Sequence, residues 1–276
     1  MERTPNLSKQ QFQHTARKRF GQNFLHDLGI ISRIVASINP QPEDNLVEIG
    51  PGKGAITELL LAECPRLHVV ELDRDLVPFL LASFSTFPEF HLHQADALKF
   101  DFSALASPEK PLRVVGNLPY NISTPLIFHL LKLGSQIKDM HFMLQKEVVE
   151  RMSATPGTKE YGKLSVMTQY HCQVEQLFNV PPECFVPRPK VESAIIRLQP
   201  YSRPPLEALN VKTLEQIVNS AFQQRRKTLR NALKQWCTDK DLETLGIDSS
   251  ARAENISIEG FVKIANHCSN GDSPAR

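Results

Sequence analysis

The sequence predicts an α/β protein: a mostly parallel sheet with helices on both faces, followed by a small all-helical C-terminal domain. Three observations lead there. Short apolar runs alternate with helix-patterned segments from residue 45 to about 153, the order that builds parallel sheets. The first of these runs ends in a glycine-rich turn. Strand signals stop near residue 200, and the rest is patterned for helix.

The elements follow in order. Residues 1–19 are polar and basic, a segment expected to be partly disordered. Ile30, Ile31, Ile34, Val35 and Ile38 recur at helical spacing, and Pro40 and Pro42 end the pattern. "NLVEIG" (45–50), "LHVVELD" (67–73), "FHLHQAD" (90–96), "LRVVGN" (112–117) and "DMHFMLQ" (139–145) read as strands. "AITELLLAE", "LVPFLLASF", "TPLIFHLLKLG" and "KEVVERM" read as the intervening helices. Residues 174–200 give two more strands around a proline-rich loop. "PYSRPPLEAL" (200–209) is the expected linker, dividing the chain into domains 1–204 and 205–276. From 211, "VKTLEQIVNSAFQQRRKTLRNALKQW" is helical throughout by pattern.

Composition sets the class without naming a partner. The 276 residues are 41% hydrophobic and 22% charged, with a formal net charge of +2, ordinary for a soluble globular chain. The five cysteines are scattered with no C-x-x-C pair, which gives no zinc or redox motif and suits a reducing, cytoplasmic setting. The N-terminus lacks the apolar core of a secretory signal, and no apolar run approaches the ~20 residues of a membrane span.

"EIGPGKG" places Gly50, Gly52 and Gly54 between the first strand and its helix. Such a turn lets the backbone approach a ligand closely, and the crevice beyond the carboxyl ends of these strands is where nucleotide-like ligands bind. Glu71 ends the next strand, where a carboxylate accepts from ribose hydroxyls. Asp96 ends the third, where a carboxylate can accept from an adenine amino group. The spacing G-x-G-x-G departs from the dinucleotide fingerprint, and Lys53 is followed by Gly-Ala rather than the Ser or Thr of a P-loop. Ribose and adenine contacts without a phosphate cradle point to S-adenosylmethionine.

The fourth strand ends in Asn117-Leu118-Pro119-Tyr120. The lone pair of an adenine N6 amine is delocalised into the ring, so methylating it requires acceptors on its N–H groups. The Asn117 side-chain oxygen and the backbone carbonyl of Leu118 or Pro119 can serve. Pro119 stiffens the turn, and the Tyr120 ring offers a stacking face. No strong base is needed, and most of the rate comes from alignment.

The ordered set "KRFGQNFLHD", "VEIGPGKGAIT", "VVELDRDLV", "ADALKFD", "VVGNLPYNISTPLIFHLL", "MLQKEVVERM", "YGKLSVM", "FVPRPKVESAIIRL" and "RRKTLRNAL" resembles the ribosomal RNA adenine dimethyltransferase family, in its bacterial small-subunit branch. The resemblance covers almost the whole chain. It implies a Rossmann-like class I methyltransferase fold and S-adenosylmethionine contacts at Asn23, Leu25, Gly50, Glu71, Asp96 and Asn117. It also implies a target base stacked between Tyr120 and Phe185. The implied substrate is a pair of adjacent adenosines near the 3′ end of 16S rRNA, in the small subunit or its precursor. A monomer is expected, although the sequence itself does not give the oligomeric state. Leu118 and "RRKTLRNAL" argue against the large-subunit relatives. A binding role in ribosome assembly is the alternative of a different class.

Two basic stretches carry no acidic residue: 8–25, with Arg17, Lys18 and Arg19, and 222–236, with Arg225, Arg226, Lys227 and Arg230. Local charge of this kind suits RNA phosphates, although a solvated helix face is the commoner explanation. His91 and His93 share a strand face but lack a third ligand at suitable spacing, so no metal is expected. Met140, Met143, Met167 and Trp236 read as packing residues.

Overall fold

The computed structural model describes residues 22–224 and 226–269. Arg17, Lys18, Arg19 and Arg225 therefore lie outside the described residues. A two-residue strand, β1 (Phe24–Leu25), leads into α1 (Leu28–Ile38). The Asp27 carboxylate caps α1 by accepting from the Ile30 amide at 2.8 Å. The buried face of this helix is Ile31, Ile34, Val35 and Ile38, as the spacing predicts.

The parallel part of the sheet then forms as expected. Strands β2 (Asn45–Ile49), β3 (Leu67–Glu71), β4 (Phe90–Gln94), β5 (Leu112–Asn117) and β6 (Ile137–Gln145) are connected by α2 (Thr57–Glu63), α3 (Val77–Ser83), a short 3-10 turn and α4 (Ser123–Leu131). After α5 (Lys146–Ser153) comes α6 (Lys163–His171), a helix the sequence pattern did not single out. It is buried on nearly every side, so it carries little amphipathic signal. Strands β7 (Cys172–Val180) and β9 (Ser193–Pro200) enclose the proline-rich loop, which contains β8 (Phe185–Val186). The seven-stranded order is β4-β3-β2-β5-β6-β9-β7, parallel from β4 to β6, with β9 antiparallel to both β6 and β7.

Two apolar clusters cover the two faces. One contains Leu126, Ile127 and Leu130 of α4 with Val149 and Met152 of α5; the other contains the buried residues of α1, α2 and α3. Met140 and Met143 are buried within these clusters. Arg113 on β5 locks α1 to the sheet. Its guanidinium donates to the carbonyls of Ile38 and Asn39 and pairs with Asp44 and Asp139. Removing one partner would leave a buried charge, so this network acts as a unit.

The C-terminal helices are α7 (Val211–Phe222), α8 (Leu229–Ala232), α9 (Asp239–Thr244) and α10 (Ile258–Ser269). The single helix expected over 211–236 is broken. Thr228 forms a bridge with Arg252, and the amides of Leu229 and Arg230 donate to the carbonyls of Ala251 and Ser249. Tertiary hydrogen bonds here override helix propensity, so Arg226 and Lys227 sit in a turn rather than on a helix face. The helical core draws Tyr161, Val166, Met167 and Tyr170 from the segment preceding α7. Trp236 packs against that core and donates to the Ser220 hydroxyl.

Candidate active site

A cavity of about 350 Å³ opens at the carboxyl ends of β2, β3, β4 and β5. The glycine turn forms its floor. Gly50, Gly52 and Gly54 all have positive φ, and a Cβ on Gly54 would lie 2.7 Å from the Phe84 ring. That turn is open only to glycine. A Cβ on Gly52 would press on the Phe24 ring at 3.1 Å, so the loop and β1 close together over one edge of the cavity.

Two carboxylates lie side by side at the strand ends, in different environments. Glu71 is 6% exposed, and one of its oxygens accepts from the Asp73 amide at 2.7 Å. Burial pushes its carboxyl up, while the amides of Asp73, Gly52 and Leu72 oppose that shift. Glu48 is 2% exposed and, among the described residues, accepts only from the Thr57 hydroxyl, at 2.6 Å. Burial pushes it up to about 7, against that single hydrogen bond and with Glu71 nearby. Asp96 lines the same cavity and accepts from the Leu98 amide at 3.0 Å.

Beside these acids, along the same edge of the sheet, lies the turn after β5. The Asn117 Nδ2 donates to the Asn23 carbonyl at 3.1 Å, which leaves Oδ1 as the free acceptor of that amide. The Pro119 carbonyl already accepts from Ile122, and the Tyr120 carbonyl accepts from Ser123. The Leu118 carbonyl has no such donor among the described residues. The Leu118 side chain is buried and its amide donates to Met143, continuing the ladder to β6. The Tyr120 hydroxyl lies 3.0 Å from that of Ser193, at the start of β9, and this contact pins the ring at the cavity wall.

Asn23, Leu25, Gly50, Glu71, Asp96 and Asn117 thus line one cavity with Leu118, Pro119 and Tyr120. Phe185 does not join them. It pairs with Leu25 across the β1–β8 ribbon, is 3% exposed and packs in the core cluster below. Successive strand residues point to opposite faces, so Val186 takes the outward position at 60% exposure. In this conformation no base can stack on Phe185, and the aromatic pair expected there is not assembled. Phe24 is the second aromatic side chain lining the cavity, with the Lys53 amine 5.1 Å from its ring centre. Glu48 is the main residue the sequence reading missed. Its signal was present, a lone acid inside the apolar run "NLVEIG". Ser193 had no such signal, because only folding brings it to Tyr120.

Arg226, Lys227 and Arg230 are exposed, and Arg230 lies 3.8 Å from Asp239. His91 and His93 stand with His68, whose Nδ1 is 3.0 Å from the His93 Nε2. Among the described residues no group of three or more His, Cys, Asp or Glu side chains is arranged to hold a metal ion, and no helix is long and apolar enough to cross a membrane.

Residues 13–270 match the family described as ribosomal RNA adenine dimethylase. The chain belongs to the ribosomal RNA adenine dimethylase family. It is 65% identical over 253 residues to the ribosomal RNA small subunit methyltransferase A of Saccharophagus degradans, covering 92% of this chain and 94% of the relative. The enzyme of the same name from Pseudomonas syringae pv. syringae is 59% identical over 256 residues, 93% of this chain and 96% of its own. Among solved structures, a dimethyladenosine transferase from Plasmodium falciparum superposes with a TM-score of 0.76 at 26% identity, covering 87% of this chain and 95% of that one. The 23S rRNA methyltransferase ErmE gives 0.69 at 25% identity, covering 90% of this chain and all (100%) of that one. The corner at Asn117 and the acidic residues of the strand ends line one cavity in this family member.

Proposed function

We propose that this chain transfers methyl groups from S-adenosylmethionine to the N6 amines of two adjacent adenosines in small-subunit ribosomal RNA, acting as a monomer. The observation that carries the chemistry is the Asn117 amide. Its Nδ2 is committed to the Asn23 carbonyl, so its Oδ1 and the unpaired Leu118 carbonyl are left as two acceptors at one corner of the cavity. The identities of 65% and 59% to enzymes named for the small subunit, against 25% to ErmE, favour the small-subunit RNA.

The lining fits the cofactor. Glu71, held by backbone amides, would accept from the ribose hydroxyls, and Asp96 from the adenine amino group. The Gly50–Gly54 backbone and the β1 segment would enclose the remainder, with Asn23 and Leu25 on that edge. When bound, S-adenosylmethionine supplies an electrophilic methyl group on a sulfonium.

The chain's own residues do the rest. Asn117 Oδ1 and the Leu118 carbonyl accept the two N–H groups of the target amine, turning its lone pair away from the ring. Pro119 holds that backbone, and Tyr120, pinned by Ser193, supports the flat base. The turn 117–122 contains no carboxylate or imidazole, and the proton lost after transfer passes to solvent. Arg226, Lys227 and Arg230 supply phosphate contacts, together with Arg17, Lys18, Arg19 and Arg225.

Labelled cofactor and small-subunit particles lacking the modification test this reading. Mass spectrometry of nuclease fragments is expected to show dimethyladenosine at two adjacent positions. Label on large-subunit RNA, or none, would overturn it. Reversing Arg226 and Lys227 to glutamate is expected to weaken RNA binding and flatten its salt dependence; an unchanged salt slope would return those residues to plain solvation.

A further inference from the structure

We propose that Cys237 and Cys268 form a reversible oxidative cross-linking site in the C-terminal helical layer. The cysteines are dispersed in sequence, but folding brings these two together. Cys237 follows α8, with its amide donating to the Leu233 carbonyl at 3.1 Å, and its side chain is 3% exposed. Cys268 lies in the last turn of α10 and is partly exposed. Its thiol donates to the carbonyl of Trp236, the residue preceding Cys237, at 3.4 Å. Cys237 and Cys268 each act more strongly than any other group on the other's thiol. The Cys268 sulfur thus lies against the peptide group that leads into Cys237, and a disulfide between the two would close a loop over residues 237–268.

The environment assigns each thiol a part. The neighbouring Cys237 holds Cys268 below the usual thiol range, while Cys268, with burial adding to it, pushes Cys237 up. Asp241 opposes ionisation of both, and Asp239 that of Cys237. His267, 3.5 Å from Asp241, partly offsets that carboxylate when protonated. Cys268 is thus both the more accessible and the more acidic thiol. With a small-molecule disulfide such as oxidised glutathione, the Cys268 thiolate attacks one sulfur. A mixed disulfide forms, and one glutathione thiolate leaves. The Cys237 thiolate, its proton passed to solvent, then attacks the Cys268 sulfur. The protein disulfide forms and the second glutathione thiolate leaves. Two protein thiols are oxidised, and one glutathione disulfide is reduced to two thiols.

The remaining cysteines serve as internal controls. Cys64 and Cys172 donate to backbone carbonyls, and Cys184 is buried in the core cluster beside Phe185. The link would tie α10 to the segment after α8, next to exposed Arg230 and Lys234, and leave the cavity untouched.

The test treats the full chain with oxidised glutathione, blocks residual thiols with iodoacetamide, and maps peptides before and after dithiothreitol. The expected product has lost two hydrogens, carries one linkage between Cys237 and Cys268, melts several degrees higher, and reverts on reduction. Cys237→Ser is expected to stop at glutathione on Cys268, and Cys268→Ser to yield no linkage. S-adenosylmethionine affinity is expected to be equal in both forms. A stable mixed disulfide on wild-type Cys268, a linkage through Cys64, Cys172 or Cys184, or five thiols still free where an exposed reference peptide is oxidised would overturn the proposal.

Discussion

The two walls of the cavity are built from different materials. The wall made by β2, β3, β4 and the glycine turn carries Glu48, Glu71, Asp96 and Lys53. The wall made by residues 117–122 carries an amide, backbone carbonyls and a phenol. In the proposed function, charge sits where the cofactor is held, and neutral dipoles sit where the amine reacts. A fixed amide and a fixed carbonyl aim at its N–H groups and need no reorganisation. Affinity and turnover should therefore respond to different substitutions.

The largest expected effect tests which aromatic ring belongs to the neutral wall. Phe185 is buried in the core, so Phe185→Ala should cost about 3–5 kcal/mol of stability, read by urea unfolding. Tyr120→Ala should leave the melting point close to wild type and slow methyl transfer. If Phe185→Ala instead melts normally and methylates slowly, the ring swings into the cavity during the reaction, and the clamp implied by the family resemblance is restored.

Next comes Asn117→Ala. Loss of one fixed acceptor at the reacting amine should lower single-turnover methyl transfer by about 10²–10³-fold. Cofactor affinity should change far less, because Glu71 and Asp96 stay in place. Near-normal transfer would separate Asn117 from the chemistry and leave it as a brace for Asn23.

The acidic wall can be probed by pH. Glu48 is raised to about 7 in the folded chain, above its ordinary value. The folded state then holds a proton that the unfolded state releases, so this group's contribution to stability is complete below about 4.5 and is lost as pH rises through about 7. The full difference is on the order of 3 kcal/mol. Glu48→Gln, which cannot ionise, should be the more stable protein at pH 8 and comparable at pH 5. Parallel stability curves would show that Glu48 is not the titrating group. On the acid side the sign comes from His68 and His141, both pulled down to about 4, chiefly by burial. Their neutral forms are favoured in the folded chain, so their contribution is complete above about 6.5 and is lost as pH falls toward 4.

Most of the acidic wall was legible in the sequence, because strand ends and a glycine turn have local signatures. Glu71 and Asp96 could be placed by counting along alternating elements. The neutral wall was legible as a motif, but its hydrogen bonds were not. The donors and acceptors that fix Asn117 and Tyr120 come from Asn23 and Ser193, far away in sequence. Phe185 shows the limit most clearly. A motif gives the residue, while the pleat of the β1–β8 ribbon decides which way its ring points. The break in the helix over 211–236 has the same origin, since the carbonyls of Ser249 and Ala251 compete for the amides of 229 and 230. The meeting of Cys237 and Cys268 is likewise a product of packing.

The smallest of these effects, and the most specific, concerns Glu71. Its carboxylate takes the Asp73 amide on one oxygen, and the nearby Gly52 and Leu72 amides also act against the rise that burial imposes. Such support favours the charged form of a buried acid, so Glu71 is prepared to accept from two vicinal hydroxyls. Glu71→Ala should weaken S-adenosylmethionine binding by about 1.5–3 kcal/mol, the worth of hydrogen bonds to a charged group. Glu71→Gln separates charge from shape. One amide oxygen can still accept from Asp73, but the new NH₂ would face donors where an acceptor is required. Glutamine should therefore be nearly as damaging as alanine, and calorimetry on the folded variants can compare them. If glutamine binds the cofactor like wild type, the side chain acts only as a spacer. Charge would then not be what the acidic wall contributes, and the contrast between the two walls would have to be redrawn around Asp96 alone.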